Sequence, residues 1–244
     1  MNRFPLITAH TGCMGYLAHS LESLCAALKL GVDVYEDDIR VTVDGVPVLA
    51  HDDEVKLSRG RRGSLKELTL EELEADSAAP ILLLADVLSW IRTTGKRMNL
   101  DIKTADALEP VSVLVKQMKM DDRVFLSGCE YDWAVRANRI GPYLRKLLNV
   151  NVDSFRSLSY EDAVSQACEE ARTAGCFGLN VPYQAVRPQL LAAARQQSLD
   201  VFAWTVAEAD DMRRLAQWGV HSITTLDPAK LIAVREGTAL AEAE

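Results

Sequence analysis

Three consecutive acids, Glu36, Asp37 and Asp38, sit inside the run Val-Tyr-Glu-Asp-Asp-Ile-Arg-Val at residues 34–41, whose apolar members otherwise read as a strand. A carboxylate in a core strand is costly unless something positive offsets it. Strand alternation puts Glu36 and Asp38 on one face and turns Asp37 the other way, toward a helix. The run Asn99-Leu-Asp-Ile-Lys103 repeats the device, with Asp101 and Lys103 on a common face. His10 ends the first apolar run, and His51 follows a turn after the acidic one. Three carboxylates converging on one point repel one another. A divalent cation removes that penalty, and oxygen ligands suit Mg²⁺ or Ca²⁺ better than zinc. Pairing with Arg40, or a solvated edge, would account for one acid but not for three flanked by two histidines at successive strand ends. His10 and His51 can form a general acid–base pair, since imidazole titrates near neutral pH. Lys103 can hold a phosphate oxygen as a point charge or form a salt bridge to one of the acids. Of the other histidines, His221 begins the last strand and reads as structural. His19, at the start of a helix beside the first strand, stays open between a site and a structural role.

The elements that must position these groups follow from hydrophobic period. Strand candidates are Phe4–Ala9, Val34–Arg40, Arg97–Lys103, Arg123–Ser127, Arg145–Val150, Cys176–Val181, Asp200–Val206 and Val220–Thr224. Helical spacing runs over Ser20–Leu30, Leu84–Thr93, Asp106–Lys119, Tyr131–Ile140, Tyr160–Thr173, Pro188–Gln197, Glu208–Trp218 and Asp227–Glu236. Gly31, Gly95, Gly141, Gly175 and Gly219 follow helix candidates, where a left-handed cap is expected. Regular alternation implies a parallel sheet. Eight units in 244 residues fit a closed (β/α)8 TIM barrel, which typically takes about 250 residues. Polar residues at strand C-termini then converge at one mouth, where barrel enzymes place their sites. No GxGxxG follows the first strand, which argues against an open dinucleotide-binding sheet. The organisation expected is one barrel domain over 1–236, with an excursion from a βα loop at 42–80, and a frayed tail at 237–244. The excursion opens with Asp44-Gly45 between Val/Thr runs, a hairpin signal.

The net charge of −8 argues against a nucleic-acid binder, which usually carries a basic face. It leaves room for a small phosphate substrate on a local basic patch. Five cysteines without a CxxC pair suggest buried thiols rather than a metal ribbon or redox motif. The N-terminal residues lack the apolar run and cleavage site of a signal peptide. No stretch approaches the roughly 20 apolar residues of a membrane span. A cytoplasmic, reducing setting is the expectation, with the oligomeric state left open.

At this point the motifs resemble those of the glycerophosphodiester phosphodiesterase family, a phospholipase C-like phosphodiesterase barrel, over nearly the whole chain. The strongest match is SLESLCAALKLGVDVYEDDIRVTVDGVPVLAHDD. It is similar to the family's helix, Gly-Ala-Asp, Glu-x-Asp strand, Lys-Asp-Gly and closing His-Asp. KLSRGRRGSLKELTLEEL, NLDIK, VFAWTV and GVHSITTLDP resemble further family segments. The resemblance implies a metal-dependent phosphodiester hydrolase that releases glycerol 3-phosphate and an alcohol, possibly through a cyclic phosphate. It matches His10 and His51 to the catalytic histidines, Glu36, Asp38 and Asp101 to the ligands of one divalent cation, Mg or Ca, and Lys103 to the phosphate-binding lysine. Trp204 matches a tryptophan near the substrate, with barrel packing as its alternative role.

The sequence departs from the family at several places. His10-Thr11-Gly12 stands where the family has His-Arg-Gly, which removes a bidentate phosphate contact. His19 stands where an asparagine is usual, Asp101 where a glutamate is usual, and Ala207 ends the Trp-Thr-Val run. Lys56, Arg59, Arg61 and Arg62 offer positive charge from the excursion, though a solvated surface run is their simpler reading. Two other functions fit the same motifs: a phospholipase D-like lyase giving a cyclic phosphate from lysolipids, and a barrel that binds phosphate ligands without cutting them.

Overall fold

The computed structural model describes residues 3–237. The expected tail at 237–244 therefore lies, from 238 on, outside the described residues. The strands are β1 (Leu6–His10), β2 (Val34–Val41), β3 (Pro47–Leu49), β4 (Glu54–Lys56), β5 (Arg62–Ser64), β6 (Arg97–Ile102), β7 (Val124–Ser127), β8 (Leu147–Asn149), β9 (Gly178–Pro182), β10 (Asp200–Trp204) and β11 (Ser222–Thr225). The helices are α1 (Leu21–Leu30), α2 (Leu70–Asp76), α3 (Leu84–Thr94), α4 (Leu108–Met118), α5 (Tyr131–Ile140), α6 (Val152–Ser157), α7 (Tyr160–Thr173), α8 (Pro188–Gln196), α9 (Ala209–Trp218) and α10 (Pro228–Glu236). Eight parallel strands run in the order β7-β6-β2-β1-β11-β10-β9-β8. The gap between β8 and β7 is narrowed by a parallel bridge, Leu126 to Lys146, where the Leu126 N–H donates to Arg145 O at 2.9 Å. The result is a nearly closed (β/α)8 barrel, as the alternation predicts.

Period-two alternation divides each strand between two environments. Outward residues such as Ile7, Ala9, Tyr35, Ile39, Met98, Leu100, Leu179 and Val201 are buried with the helices in the main core. Inward residues form layers. Val34, Phe125, Leu147 and Phe202, with Leu6 and Phe177 against them, make an apolar plug near the strand N-termini. Phe125, Phe177 and Phe202 meet edge to face, with centroids 5.4–5.7 Å apart. Two residues further along each strand the interior turns polar, with Thr8, Glu36, Asn99, Ser127, Asn149, Asn180 and Thr224. The chemistry is therefore held above a rigid aromatic floor.

The helices begin and end as their sequences direct. Ser20 caps α1, accepting from Ser23 N, and Gly31 ends it in the left-handed region at φ 77°. Helix α1 starts at Leu21, so His19 lies before it, at φ 56°, rather than opening it. Gly95, Gly175 and Gly219 also have positive φ, as expected. Gly141 does not: its φ is −142°. Its smallness is needed for a different reason, because a Cβ there would stand 2.5 Å from Ser112 Oγ. The hairpin over Asp44-Gly45 forms, pairing β2 antiparallel to β3 with Gly45 at φ 79°. The rest of the excursion carries more order than its polar composition suggests. It holds the two-stranded β4–β5 sheet and α2, whose Thr69 and Glu72 form a reciprocal capping box. Val48, Leu65 and Leu73 give it a small core of its own. Four of the five cysteines are buried, and all five are free. Among the described residues no helix is long and apolar enough to cross a membrane.

Candidate active site

Strand register brings the predicted groups together. Asp38 pairs with Asp101 across β2 and β6, and His10 with Glu36 across β1 and β2. His10, Glu36, Asp38, His51, Asp101, Lys103 and Trp204 all line one cleft of about 290 Å³ at the strand C-termini. Glu36, Asp38 and Asp101 place carboxylate oxygens within 4.8 Å of one another, with Glu36 and Asp38 buried. Lys103 Nζ lies 2.5 Å from Asp101 Oδ2 and 2.9 Å from Asp38 Oδ1, the salt-bridge arrangement that its spacing allowed. Burial works against the ammonium, but the two carboxylates outweigh it and push the Lys103 pKa up. Ser127 Oγ donates to Asp101 Oδ1 at 2.5 Å. Behind Asp101, Gly128 at φ 72° leaves no room for a side chain: a Cβ would stand 2.4 Å from Ile102 O.

Glu36 is the unsatisfied member. Its Oε2 is buried and has no hydrogen-bond partner. Burial, then the charges of Asp101 and Asp38, raise its pKa well above the usual carboxylate value. An orphaned buried carboxylate oxygen beside two further carboxylates is what a hard divalent cation would satisfy, so this donor set fits Mg²⁺ or Ca²⁺.

The histidines are held by their Nδ1 atoms. His10 Nδ1–H donates to Thr11 O at 2.7 Å, which leaves Nε2 free, 3.8 Å from Glu36 Oε2. His51 Nδ1–H donates to Asp52 Oδ1 at 2.9 Å, and its exposed ring also keeps Nε2 free. Arg40 pairs with none of the three acids of its strand. Its Nε donates to His51 O at 2.7 Å and braces that turn. His19 joins the acidic cluster: Nδ1 lies 2.6 Å from Asp37 Oδ1, and Nε2 lies 3.7 Å from Asp38 Oδ2. Burial disfavours its imidazolium, yet the Asp37 hydrogen bond and the charges of Asp37 and Asp38 raise its pKa. Asp37 faces outward as alternation requires, where it also accepts from Tyr35 Oη and Asp38 N. Thr11, buried beneath the loop, accepts from His19 N at 2.7 Å. Of the basic excursion residues, Arg61 pairs with Asp76 and Arg62 with Glu54, away from the cleft. His221 lies at the strand N-termini as expected, bonded to Val201 N and 2.9 Å from Asp200.

The profile of the glycerophosphoryl diester phosphodiesterase family matches residues 10–230. The chain belongs to that family. It is a phosphoric diester hydrolase. Among its relatives, the glycerophosphodiester phosphodiesterase of Caldanaerobacter subterraneus is 26% identical, over 95% of this chain and 98% of that protein. The Bacillus subtilis glycerophosphodiester phosphodiesterase is 25% identical, over 95% and 87%. Two solved structures share the fold. One is an Oleispira antarctica phosphodiesterase in complex with the product sn-glycerol-3-phosphate, with TM-score 0.80 and 21% identity over 96% of this chain and 97% of that one. The other is the Thermotoga maritima glycerophosphodiester phosphodiesterase, with TM-score 0.79 and 20% identity over 96% and 100%.

In this family member the cleft also contains residues that the sequence reading passed over: Asn99, Ser127, Asn149, Asn180, Thr205 and Thr224. Their signal was available. Ser127, Asn149 and Asn180 are polar residues at or near the ends of the fourth, fifth and sixth barrel strands, subject to the same rule that picked out Asp101. Asn149 Oδ1 accepts from Gly128 N and Asn180 Nδ2, so this wall is tied together. Asn99 Oδ1 and the Trp204 indole N–H are buried without partners.

Proposed function

We propose that this enzyme hydrolyses glycerophosphodiesters with a divalent cation, Mg²⁺ or Ca²⁺, on Glu36, Asp38 and Asp101 and an acid–base pair of His10 and His51. One observation carries the reading: three carboxylates and two histidines with free Nε2 atoms line a single cleft. The Oleispira antarctica complex, with glycerol 3-phosphate bound to a protein of the same fold, supports a glycerophosphate substrate. When bound, the cation neutralises charge developing on a nonbridging phosphate oxygen. Because acceptors hold both Nδ1–H groups, proton transfer falls to Nε2 on each ring. One neutral histidine takes the proton of the attacking oxygen, either water or the substrate's own glycerol hydroxyl. The other, as imidazolium, gives its proton to the leaving alkoxide as the P–O bond to the alcohol breaks. If the glycerol hydroxyl attacks, water then opens the cyclic phosphate, and the net reaction consumes one water. Lys103, which pairs with Asp38 and Asp101, would contribute a point charge to the phosphate. Trp204 lines the cleft and would pack against the substrate.

A second reading has an observation of its own. Met14, Tyr16 and Leu17 after β1, and Leu226 after β11, are exposed apolar residues on the same end of the barrel as the cleft. Such a rim suits a lysolipid chain. The test is release of glycerol 3-phosphate from a panel of glycerophosphodiesters, with lysophosphatidylcholine alongside, in Mg²⁺, Ca²⁺ or chelator. Metal-dependent release, lost in Glu36→Ala and His51→Ala, supports the main reading. Turnover of the lysolipid alone supports the second. Silence from folded protein with every substrate would leave a barrel that binds without cutting.

A further inference from the structure

A second cavity, of about 620 Å³, opens at the opposite mouth of the barrel, beneath the layer of Phe125, Phe177 and Phe202. Five arginines line it, Arg3, Arg97, Arg123, Arg145 and Arg195, against two aspartates, Asp122 and Asp200. This is a local excess of positive charge in a chain of net charge −8. Three of the arginines are gathered by the sheet. Alternation puts Arg97, Arg123 and Arg145 on the inward face, two residues before Asn99, Phe125 and Leu147. Met98 pairs with Val124, so Arg97, at the start of β6, and Arg123, just before β7, stand at neighbouring positions. The bridge of Leu126 to Lys146 brings Arg145 next to them.

Like charges at neighbouring positions of a sheet are destabilising. The local acids do not relieve this. Asp122 is 3.3 Å from Arg123 alone, and Asp200 is taken by His221 at 2.9 Å. Among the described residues, Arg3, Arg97, Arg145 and Arg195 form no salt bridge. Helix dipoles account for a basic residue in the last turn of a helix, which explains Arg195 at the end of α8 but not Arg97 at the start of β6 or Arg123 and Arg145 just before β7 and β8. The Arg145 guanidinium lies 4.0 Å from the Phe177 ring centroid, stacked on the floor of the cavity.

We propose that this basal cavity is a second ligand site, for a small organic polyphosphate with an aromatic ring. Guanidinium forks take phosphate oxygens in pairs, and the Arg145 guanidinium, lying over Phe177, offers a planar face on which a ring stacks. The volume falls within the range of small-molecule sites. The site is independent of the catalytic cleft, from which the aromatic plug separates it.

Calorimetry with ATP on the full chain, in chelator and at about 0.15 M salt to screen exposed charges, tests the proposal. Saturable binding is expected, weakened by about tenfold or more in Arg97→Gln/Arg145→Gln. Both positions are exposed; Arg195→Gln alone, at a helix end, gives a second and milder variant. Binding should survive His51→Ala and also Arg136→Gln/Arg139→Gln, which removes two exposed arginines of α5. Absence of saturable binding would overturn the proposal. So would equal loss on removing the α5 arginines, or loss in His51→Ala with retention in the basal variants.

Discussion

His10 Nε2 stands 3.8 Å from Glu36 Oε2, a buried oxygen with no hydrogen-bond partner. The distance is too long for a hydrogen bond, so the ring does not relieve the acid. Glu36 is thus left unsatisfied by the fold itself, as the proposed cation site requires. Glu36→Gln should abolish diester turnover while making the metal-free protein more stable at neutral pH, since it removes a buried charge from beside two others. Each ~1 kcal/mol gained should appear as about 2–4 °C in Tm for a chain of this size. A lower Tm in metal-free Glu36→Gln would show that the carboxylate is instead satisfied in the fold.

Cation binding should reverse that ordering. A ligand that binds only the native state at a hundred times its Kd adds about 2.7 kcal/mol. Titrating Ca²⁺ or Mg²⁺ into wild type should therefore raise Tm by about 5–10 °C. The same titration of Glu36→Gln should give a much smaller shift. Thermal scans with and without chelator measure both.

The pH dependence of the metal-free protein follows from two raised pKa values. Glu36 binds its proton more tightly when folded than when unfolded. Its contribution to stability is fully present below the usual carboxylate range and is lost as pH rises toward its folded value. His19 is raised as well, so its stabilising contribution is present below the usual imidazole range and is lost as pH rises through its folded value. Both slopes have the same sign, and above the usual carboxylate range, where Asp44, Asp52, Glu72 and Asp76 with their lowered pKa values no longer titrate, stability should fall with rising pH. Urea midpoints across that range should fall in wild type and fall less in Glu36→Gln.

Gly128 supports the proposed metal site from behind. A Cβ there would meet Ile102 O at 2.4 Å, Ile102 N at 2.7 Å and Asp101 Oδ1 at 3.0 Å. These contacts are mostly backbone, and φ is positive, so nothing flexible can yield. Gly128→Ala should cost about 2–4 kcal/mol of stability and weaken cation binding through Asp101. Unchanged cation affinity in a folded variant would separate Gly128 from the site.

Much of the architecture was local enough to read. The alternating patterns around Ile7, Tyr35, Met98 and Val201 show where strands lie and which residues face the helices. Gly31 marks the end of a helix to within a residue. His10, Glu36, Asp38 and Asp101 could be picked out because each is a costly residue type at a strand end. Gly141 was misread because a glycine's reason for being there is sometimes a neighbour distant in sequence, here Ser112. The order in the excursion was hidden because its short strands and α2 depend on burying Val48, Leu65 and Leu73 together.

Residue types, strand parity and a helix-ending glycine belong to the chain and its immediate neighbours, so the eight βα units and the donor types of the candidate site are legible along the chain. Register and closure belong to pairs of strands far apart in the chain. That Lys103 lies between Asp38 and Asp101, that Glu36 Oε2 is left without a partner, and that Arg97, Arg123 and Arg145 line one cavity at the far mouth emerges only once the barrel closes. Hydrogen-bond pairing across strands sets these distances, and no single strand carries that information.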